Sequence, residues 1–312
     1  MSTFILLRII IVYSFPVISF IGFITNIISF VIFSRKRFEN TIFSTYFRFY
    51  LVFEIINPIF PINKMFELNF EMYFGLISDF CCKLRRFFSN YNASNTPWFL
   101  VIISLDRFLS ITYPTRFLLR KKPIFQILIS FFIIGINFVL YTPFWFYHLR
   151  QNIKNKTNQT SIISYECFSP ITWLKFINLV QEFVIPFCLM SLFTFLTIRT
   201  VFNSRKSSSN NSSVAKSKDM KFAISSITIN ILFLLSNLPY LIVIVLKDYS
   251  NLFANQADLY NLCYSLSFLF FYFNLTITFF ANYISNSMFK KEFITLVFDL
   301  KTTSENSSKS KT

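Results

Sequence analysis

Motifs for metal or cofactor chemistry are scarce in this chain. Its 312 residues include one histidine, His148, and five cysteines that form neither a Cys-x-x-Cys pair nor a cluster with histidine. Zinc sites depend on such spacing. We therefore expect no metal site of the Cys/His type and no cofactor.

Charged side chains are also scarce. They make up 14% of the residues, compared with about 25% in soluble domains, while 54% of the residues are hydrophobic. A soluble protein of this size cannot bury 46 phenylalanines, and several apolar runs reach the ~20 residues that cross a bilayer. The composition predicts a polytopic α-helical membrane protein.

The charged residues that are present are mostly basic, and the net charge is +16. Nucleic-acid binding would explain such a charge, but the basic residues lie between apolar runs, where they face the cytoplasm and anionic lipid. We therefore expect the lipid bilayer, and no nucleic acid, as a partner. The first apolar run is too long for a cleaved signal peptide and lacks a small-residue cleavage site, so it predicts a signal-anchor helix.

The apolar runs predict seven helices, with the N-terminus outside and the C-terminus inside, because basic segments such as Arg35-Lys36-Arg37 follow the first, third and fifth runs. The expected helices lie at about 9–33, 42–62, 82–107, 124–147, 171–201, 219–246 and 257–283. The segment 203–219 is polar and rich in serine, which is typical of a disordered loop.

The third run ends in two adjacent charges, Asp106 and Arg107, in the stretch WFLVIISLDRFLSITYP. Such charges are costly in a membrane unless they lie at the water interface or have a function. This stretch resembles the end of the third helix of rhodopsin-like (class A) G-protein-coupled receptors, where Asp/Glu-Arg-Tyr is usual and Phe108 replaces the tyrosine. Other residues of the family pattern lie at compatible spacing: Cys82, Pro114, Cys167, Pro186, Phe233, Pro239 and Tyr240.

The resemblance covers residues 9–298 and implies an all-α fold, a seven-transmembrane helix bundle with a short interfacial helix eight that begins near Phe289. It implies an extracellular N-terminus at 1–8, a receptor domain at 9–298 and a cytoplasmic tail at 299–312, in the plasma membrane. The end of the seventh run is similar to that of some invertebrate peptide receptors, so we expect a peptide (including neuropeptide) or chemosensory receptor.

The family carries a disulfide between the outer end of the third helix and the next outer loop. This implies a bond between Cys82 and Cys167, with Cys81 as a weaker alternative to Cys82. The same loop contains two sequons, at Asn155 and Asn158, which we expect to be glycosylated.

The resemblance further implies a switch that activates a heterotrimeric G protein and catalyses nothing itself, with kinases and arrestin as further partners. Asp106, Arg107 and Phe108 would couple to the G protein, and Pro239 would be the hinge of the sixth helix. Asp219, twenty residues before Pro239, is placed to pair with Arg107 in the inactive state.

The implied ligand pocket lies between the outer halves of the helices. Its candidate residues are Arg86, Ser89, Gln181, Glu182, Asn237 and Tyr240. Ser89 stands where amine receptors carry Asp, and no Lys lies between 257 and 283 to hold retinal, which leaves a peptide or a chemosensory small molecule. Arg86 and Glu182 would each pair with a ligand group of opposite charge or, in the empty site, with each other. The alternatives for Arg86 are snorkelling and pairing with Glu67, Glu71 or Asp79.

A second set of polar residues falls deep in the predicted membrane segments. Its members are Asn26, Glu54, Thr96, Asn274 and Thr278. Glu54 replaces the Asp that holds a sodium ion in the family, and either a sodium ion or a proton can neutralise it there. The register of the degenerate motif in helix seven is open, with Asn282 or Tyr283 at the position of the usual tyrosine.

Several residues depart from the family pattern. Asn237 replaces the usual Trp of helix six, Thr194 replaces a Tyr of helix five, and helix seven lacks Asn-Pro. These departures leave open an orphan or decoy receptor that does not couple to a G protein. A seven-helix ligand-gated channel is a second, separate alternative. Ligand-dependent nucleotide exchange distinguishes the first from a coupling receptor, and a ligand-dependent membrane current would indicate the second.

Overall fold

The computed structural model of the chain describes residues 3–39, 42–60, 62, 77–113, 122–156, 160–169, 171, 173–207, 214–250 and 256–309. Within these ranges the long helices are α1 (Thr3–Phe33), α2 (Ile42–Ile56), α3 (Asp79–Thr112), α4 (Pro123–Tyr141), α5 (Trp173–Leu179, Val180–Val184 and Ile185–Ser207 in succession), α6 (Val214–Tyr249), α7 (Ala257–Ser285) and α8 (Ser287–Lys309). A one-turn helix, Lys36–Glu39, precedes α2, and a 3₁₀ turn, Thr142–Phe146, follows α4. Two antiparallel strands, β1 (His148–Lys156) and β2 (Thr160–Phe168), form a hairpin between α4 and α5.

Five helices of the described chain contain a segment long and apolar enough to cross a membrane. These segments are Tyr13–Phe33, Pro123–Phe146, Phe176–Phe202, Phe222–Lys247 and Leu259–Ser285. Together with α2 and α3 they make the seven-helix bundle that the sequence predicted. The central helix α3 contacts α2, α4, α5 and α6. It can therefore be more polar than the others, because it faces protein rather than lipid.

Helix α4 has an apolar outer face and a polar inner face. Phe131, Phe132 and Val139 leave 59%, 67% and 66% of their surface exposed. Gln126 and Asn137 of the same helix are buried. Polar side chains avoid hydrocarbon unless they have partners inside the protein, and apolar ones lose nothing by facing lipid. The pattern is that of a helix at the lipid boundary.

Aromatic rings fill the half of the bundle that contains Arg107. The ring centroid of Phe33 lies 4.7 Å from that of Phe47 and 5.3 Å from that of Phe289, which joins α1, α2 and α8. Tilted ring pairs add stabilisation to the area that they bury. Phenylalanine thus supplies much of the packing in a chain that has three glycines.

Proline ends two helices earlier than predicted. The prediction of 42–62 for α2 is wrong at its end, since the continuous helix stops at Ile56. Pro58 has no N–H donor and disfavours helical backbone at the residue before it. The predicted helix 124–147 likewise ends at Tyr141, and Pro143 lies in the 3₁₀ turn that follows.

Other helices are longer than predicted at their ends. Helix α3 begins at Asp79 rather than near Cys82, because the hydroxyl of Ser78 accepts a hydrogen bond from the backbone N–H of Cys81 (3.1 Å) and caps the helix. Helix α1 begins at residue 3 instead of 9.

The predicted disordered loop and tail are partly helical. Helix α5 continues to Ser207 and α6 begins at Val214, so both ends of the segment 203–219 have helical backbone. Helix α8 is not short, because it continues from Ser287 to Lys309 and includes most of the predicted tail. None of these segments contains a glycine or proline that would end a helix.

Within the outer loop 148–170, the described residues form the two paired strands β1 and β2, which the all-α prediction missed. The register pairs Leu149 with Cys167 and His148 with Phe168. The strand β2 reads TSIISYECF and contains the β-branched and aromatic residues that favour strands. The carboxylate of Asp79 accepts a hydrogen bond from the backbone N–H of Leu149 (2.9 Å), which fixes the hairpin to the start of α3.

Gly22 allows close contact between α1 and α7. A Cβ atom added at Gly22 would lie 2.8 Å from the Cβ of Leu275, whereas one added at Gly135 has no atom within 4 Å. We expect Gly22→Ala to lower the free energy of unfolding by about 1–3 kcal/mol because the two helices must move apart. Gly135→Ala is the matched control and should leave the thermal midpoint of the receptor in lipid nanodiscs unchanged or slightly raised. Equal midpoints for the two variants would contradict this packing.

Candidate functional site

A small cavity lies in the middle of the bundle, between α2, α3, α5, α6 and α7. The volume open to water is about 20 Å³, enough for a water molecule or a small cation and too little for an organic molecule. Its lining residues are Glu54, Asn57, Ala93, Thr96, Pro97, Glu182, Phe183, Phe233, Asn237, Phe271, Tyr272, Asn274 and Leu275. The cavity therefore joins the predicted ion site to part of the predicted ligand pocket.

Several buried oxygen atoms in this cavity lack a hydrogen-bond partner within the described residues. They are Oε2 of Glu54, Oδ1 of Asn237 and Oδ1 of Asn274, whose side chains are 1%, 2% and 5% exposed. All three are acceptors, and an unpaired acceptor in a low-dielectric site is costly. The cavity is thus suited to an occupant that donates hydrogen bonds or carries positive charge.

Two asparagines that the sequence analysis did not single out form a hydrogen-bonded chain that ends at Glu54. The side-chain amide of Asn57 donates to Oε1 of Glu54 and to the hydroxyl of Thr96, both at 3.4 Å. Oδ1 of Asn57 in turn accepts from the amide of Asn92 (2.5 Å). Asn57 directly precedes the proline that ends α2, and that break is the signal in the sequence that could have identified it.

Asn26 and Thr278 connect α1 and α7 to α2. The amide of Asn26 donates to the backbone oxygens of Glu54 (3.4 Å) and Leu275 (3.2 Å). The hydroxyl of Thr278 lies 3.0 Å from that of Tyr50. These side chains hold the three helices together and do not line the cavity.

The structure places Asn282, not Tyr283, inside the bundle at the end of α7. Asn282 is fully buried, its Oδ1 accepts from the hydroxyl of Ser225 on α6 (2.8 Å), and its amide donates to the backbone oxygen of Thr278 (2.9 Å). Tyr283 instead packs against Phe293 of α8. Of the two residues between which the register was open, Asn282 is the one that faces the neighbouring helices.

Glu182 lies on the π-helical turn of α5, where the backbone N–H of Ile185 bonds to the oxygen of Val180. Pro186 follows directly and cannot donate a backbone hydrogen bond, so a wider turn is accommodated here. The Glu182 side chain is 7% exposed and lines the cavity, and the amide of Asn178, one turn earlier, bonds to its carboxylate.

The other candidate ligand residues do not meet at this cavity. The exposed guanidinium of Arg86 lies 5.6 Å from the ring centre of Tyr147 and forms no ion pair with Glu182, so the expected pairing of these two side chains is wrong. The amide of Gln181 donates to Oδ1 of Asn137 (3.3 Å) and so faces α4. Ser89 is half-buried away from the cavity lining.

Tyr240 belongs to an aromatic cluster that adjoins the cavity on the side of the disulfide. Its ring centre lies 5.8 Å from that of Phe183 and 5.1 Å from that of Phe271, two rings that line the cavity. It also contacts Tyr264 and Phe268, which precede Phe271 on α7. This cluster separates the cavity from the outer ends of α6 and α7.

Asp106 and Arg107 form a buried ion pair at the opposite end of α3. Their side chains are 6% and 4% exposed, and Nη2 of Arg107 donates to Oδ2 of Asp106. Phe108 beside them is half-buried. The side chain of Asp219 lies outside the described residues, so its pairing with Arg107 stays a prediction.

One further residue connects α6 to two neighbouring helices near this ion pair. The amide of Asn230 donates to the hydroxyl of Ser104 on α3 (2.7 Å) and to that of Thr194 on α5 (2.9 Å), and all three side chains are buried. The sequence analysis missed Asn230, because a single polar residue in an apolar run does not reveal its partners.

Cys82 and Cys167 form a disulfide that joins α3 to β2, with their Cα atoms 5.8 Å apart. Cys81 is a free, half-buried cysteine, so the alternative pairing is not used. The side chain of Asn155 and the whole of Asn158 lie outside the described residues, and glycosylation stays a prediction. Within the described part of the chain, no three His, Cys, Asp or Glu side chains form a metal-binding group.

A sequence model of the 7 transmembrane receptor (rhodopsin family) matches residues 64–278, more than half of the chain. The chain belongs to this family of seven-transmembrane receptors. The resemblance seen in the sequence is therefore confirmed, and so is the class of the protein as a multi-pass membrane receptor. The match includes the Cys82–Cys167 disulfide, the Asp106–Arg107 pair and the cavity residues from α3 to α7.

This rhodopsin-family receptor is similar to atypical chemokine receptor 3 of dog (Canis lupus familiaris), with 27% identity over 178 residues, which are 56% of this chain and 46% of the relative. The human and rat receptors of the same name match over the same length and shares at 26% identity. The chain thus spans about half the length of the curated relatives it matches.

The free Cys81 provides a matched control for the disulfide. We expect Cys82→Ser to lower the free energy of unfolding by about 2–5 kcal/mol, because the bond closes a loop with a sequence separation of 85. Cys81→Ser should have a thermal midpoint close to that of the parent receptor. Peptide mapping that recovers Cys82 or Cys167 as a free thiol from surface-expressed receptor would contradict the assignment.

Proposed function

We propose that the protein is a plasma-membrane receptor that binds an extracellular ligand and activates a heterotrimeric G protein by movement of α6. The observation that carries this proposal is the buried Asp106–Arg107 pair at one end of α3, beside the Asn230 bonds to α3 and α5. An arginine held by a neighbouring acid is available to a partner once the packing over it opens. The N-terminus would be extracellular and the C-terminus cytoplasmic, where kinases and arrestin would act.

Pro239 gives α6 a place to bend. It lies inside the continuous helix Val214–Tyr249 and cannot donate the usual backbone hydrogen bond. Asn237, which lines the cavity, lies two residues before it, and Asn230 and Ser225 lie on the segment toward Arg107. A ligand that changes the position of Asn237 therefore acts on the part of α6 that Asn230 and Ser225 hold.

The family's sodium ion fits the residues present on the α2 side of the cavity. Glu54, Thr96 and Asn274 would hold it, since carboxylate, hydroxyl and amide oxygens suit a hard cation and two of them have an unpaired oxygen. The ion would supply the positive charge that neutralises Glu54 in the resting receptor.

A polypeptide ligand is favoured over a chemosensory small molecule. The relatives are named as atypical chemokine receptors, and the hairpin β1–β2 lies at the end of the bundle where a large ligand would approach. The proposed ligand-binding role includes Glu182, Asn237 and Tyr240, which lie at or beside the cavity. Arg86 and Ser89 stay candidates for the outer part of the contact.

A receptor that binds its ligand without activating a G protein is the second candidate. It is favoured by three departures from the family's relay: Thr194 replaces a Tyr, Asn237 replaces the Trp, and helix seven lacks Asn-Pro. In that case α6 would keep its bonds to α3 and α5 when ligand binds.

The Asn230 bonds allow a test that needs no ligand. We expect Asn230→Leu to raise ligand-independent nucleotide exchange on co-expressed G proteins, because each hydrogen bond lost in a membrane bundle shifts the equilibrium by about threefold. Arg107→Ala in the same background should abolish the gain. Thr228→Val is the control, since the hydroxyl of Thr228 is exposed and bonds only to the backbone of Ile224 (2.9 Å).

Membrane current recorded in the same cells tests the channel alternative, because a ligand-dependent current would indicate a channel.

Nucleotide exchange can also be compared between Asn230→Leu and the parent at equal surface expression. Exchange that stays at the parent level would support the non-coupling receptor if spin labels on α3 and α6 report that the helices have separated. If the labels do not move either, Asn230 does not restrain α6.

A further inference from the structure

Arg48 places a positive charge on the membrane segment of α2, and no described side chain neutralises it. It is half-buried and lies about 9 Å along the helix from Ile42, the first residue of α2. Arginine stays charged in proteins, and a charge among apolar side chains is costly unless a partner neutralises it. Within the described residues Arg48 forms no ion pair.

The described carboxylates at the same end of the bundle are bound to other cations. Asp106 pairs with Arg107. Glu292 of α8 pairs with both Arg35 (3.3 Å) and Arg37 (3.0 Å). The acid of α2 itself lines the central cavity, away from this end. None of these acids is left to neutralise the arginine of α2.

Arg48 faces lipid in the gap between α1 and α4. The residue before it, Phe47, packs against a ring of α1 with the ring centres 4.7 Å apart. The residue after it, Phe49, packs against a ring of α4 with the ring centres 5.7 Å apart. Val52 lies one turn later on the same face of α2 and is 41% exposed. The gap is therefore open to the bilayer from the side.

The guanidinium is directed toward the end of the bundle that contains Arg107. Its Nε donates to the backbone oxygen of Ser44 (3.3 Å), one turn earlier in α2. Ser44 lies beside the last residue of α1, because its hydroxyl donates to the backbone oxygen of Phe33 (2.6 Å). The remaining N–H donors of Arg48 thus lie near the level at which α1 ends, where a long cationic side chain reaches the headgroups.

We propose that Arg48 binds the phosphate of an anionic phospholipid in the leaflet at this end of the bundle. Phosphate oxygens accept two parallel hydrogen bonds from a guanidinium, which a single ammonium cannot donate. Phosphatidylglycerol brings a net negative charge and neutralises the arginine, whereas phosphatidylcholine already carries its own cation. In the orientation proposed above, this is the cytoplasmic leaflet, which contains anionic lipid. The lipid is a partner separate from the extracellular ligand and the G protein.

Nanodiscs of two compositions test the site on the purified receptor. We expect a thermal midpoint about 3 °C higher with about one third dioleoylphosphatidylglycerol than in pure dioleoylphosphatidylcholine, because the bound lipid stabilises the folded state. Nanodiscs carry the lipid in both leaflets, and the experiment needs no ligand and no G protein. Its outcome is therefore independent of the proposed orientation and signalling function. Equal midpoints in the two compositions would overturn the proposal.

Variants locate the binding. Arg48→Gln should abolish the difference, and Arg48→Lys should keep part of it, because an ammonium keeps the charge but lacks the planar fork. Arg199→Gln is the matched control, since Arg199 is an exposed arginine of α5 toward the same end and also forms no ion pair within the described residues. It should keep the whole difference. A difference that survives in Arg48→Gln, or that is equally lost in Arg199→Gln, would indicate a general effect of membrane charge and contradict a site at Arg48.

Native mass spectrometry counts the bound lipid. From an equal mixture of the two lipids, the parent receptor should retain one phosphatidylglycerol more than Arg48→Gln, and equal retention would refute the site. If Arg48→Gln is not recovered, retention by Arg48→Lys decides: it must be weaker than in Arg199→Lys.

Inorganic phosphate distinguishes a lipid site from a site for free anions. At millimolar concentration it should leave the thermal midpoint in pure dioleoylphosphatidylcholine nanodiscs unchanged, because the gap opens to the bilayer. A shift as large as that given by phosphatidylglycerol, and lost in Arg48→Gln, would replace the lipid with a water-accessible anion.

Discussion

Hydrogen bonds from buried asparagine amides connect the helices of this bundle, and the arrangement of the site depends on them. Asn26 links α1 to α2 and α7, Asn57 and Asn92 link α2 to α3, and Asn230 links α6 to α3 and α5. Lipid offers these groups no alternative partner, so each bond fixes the rotation of a helix as well as its position. The same rotation brings Glu54 and Glu182, from opposite sides of the bundle, to one cavity.

The replacements that distinguish this receptor from its family form a consistent set. Where the family uses a Tyr and a Trp, this chain has Thr194 and Asn237, and in helix seven Asn282 is the buried one of the two residues between which the register is open. Thr194 accepts from Asn230 and Asn282 accepts from Ser225, so two of the positions hold α6 directly by hydrogen bonds. The third, Asn237, leaves an acceptor in the cavity where a Trp would fill the space. Small polar side chains thus hold α6 by hydrogen bonds, and one of them also leaves a cavity in the centre of the bundle.

The sequence predicted the parts of the molecule that depend on local pattern. Apolar run lengths, basic loops and the spacing of Cys82, Arg107 and Pro239 identified the bundle and its family. It did not predict the β-hairpin, the early end of α2 or the partners of Asn57 and Asn230, because these depend on which side chains meet across helices. Arg86 and Glu182 illustrate the limit: helix depth suggested that they pair, but Arg86 points to Tyr147 and Glu182 to the cavity.

The restraint on α6 is weak enough for a ligand to overcome. A hydrogen bond between membrane helices contributes about 0.6 kcal/mol, so the two bonds of Asn230 change the balance between two states of α6 by roughly eightfold. A ligand shifts such a balance only by its difference in affinity for the two states. Asn237 and Asn230 lie on the same side of Pro239 in α6. A contact that moves Asn237 therefore also moves Asn230, whose two hydrogen bonds hold α6 to α3 and α5.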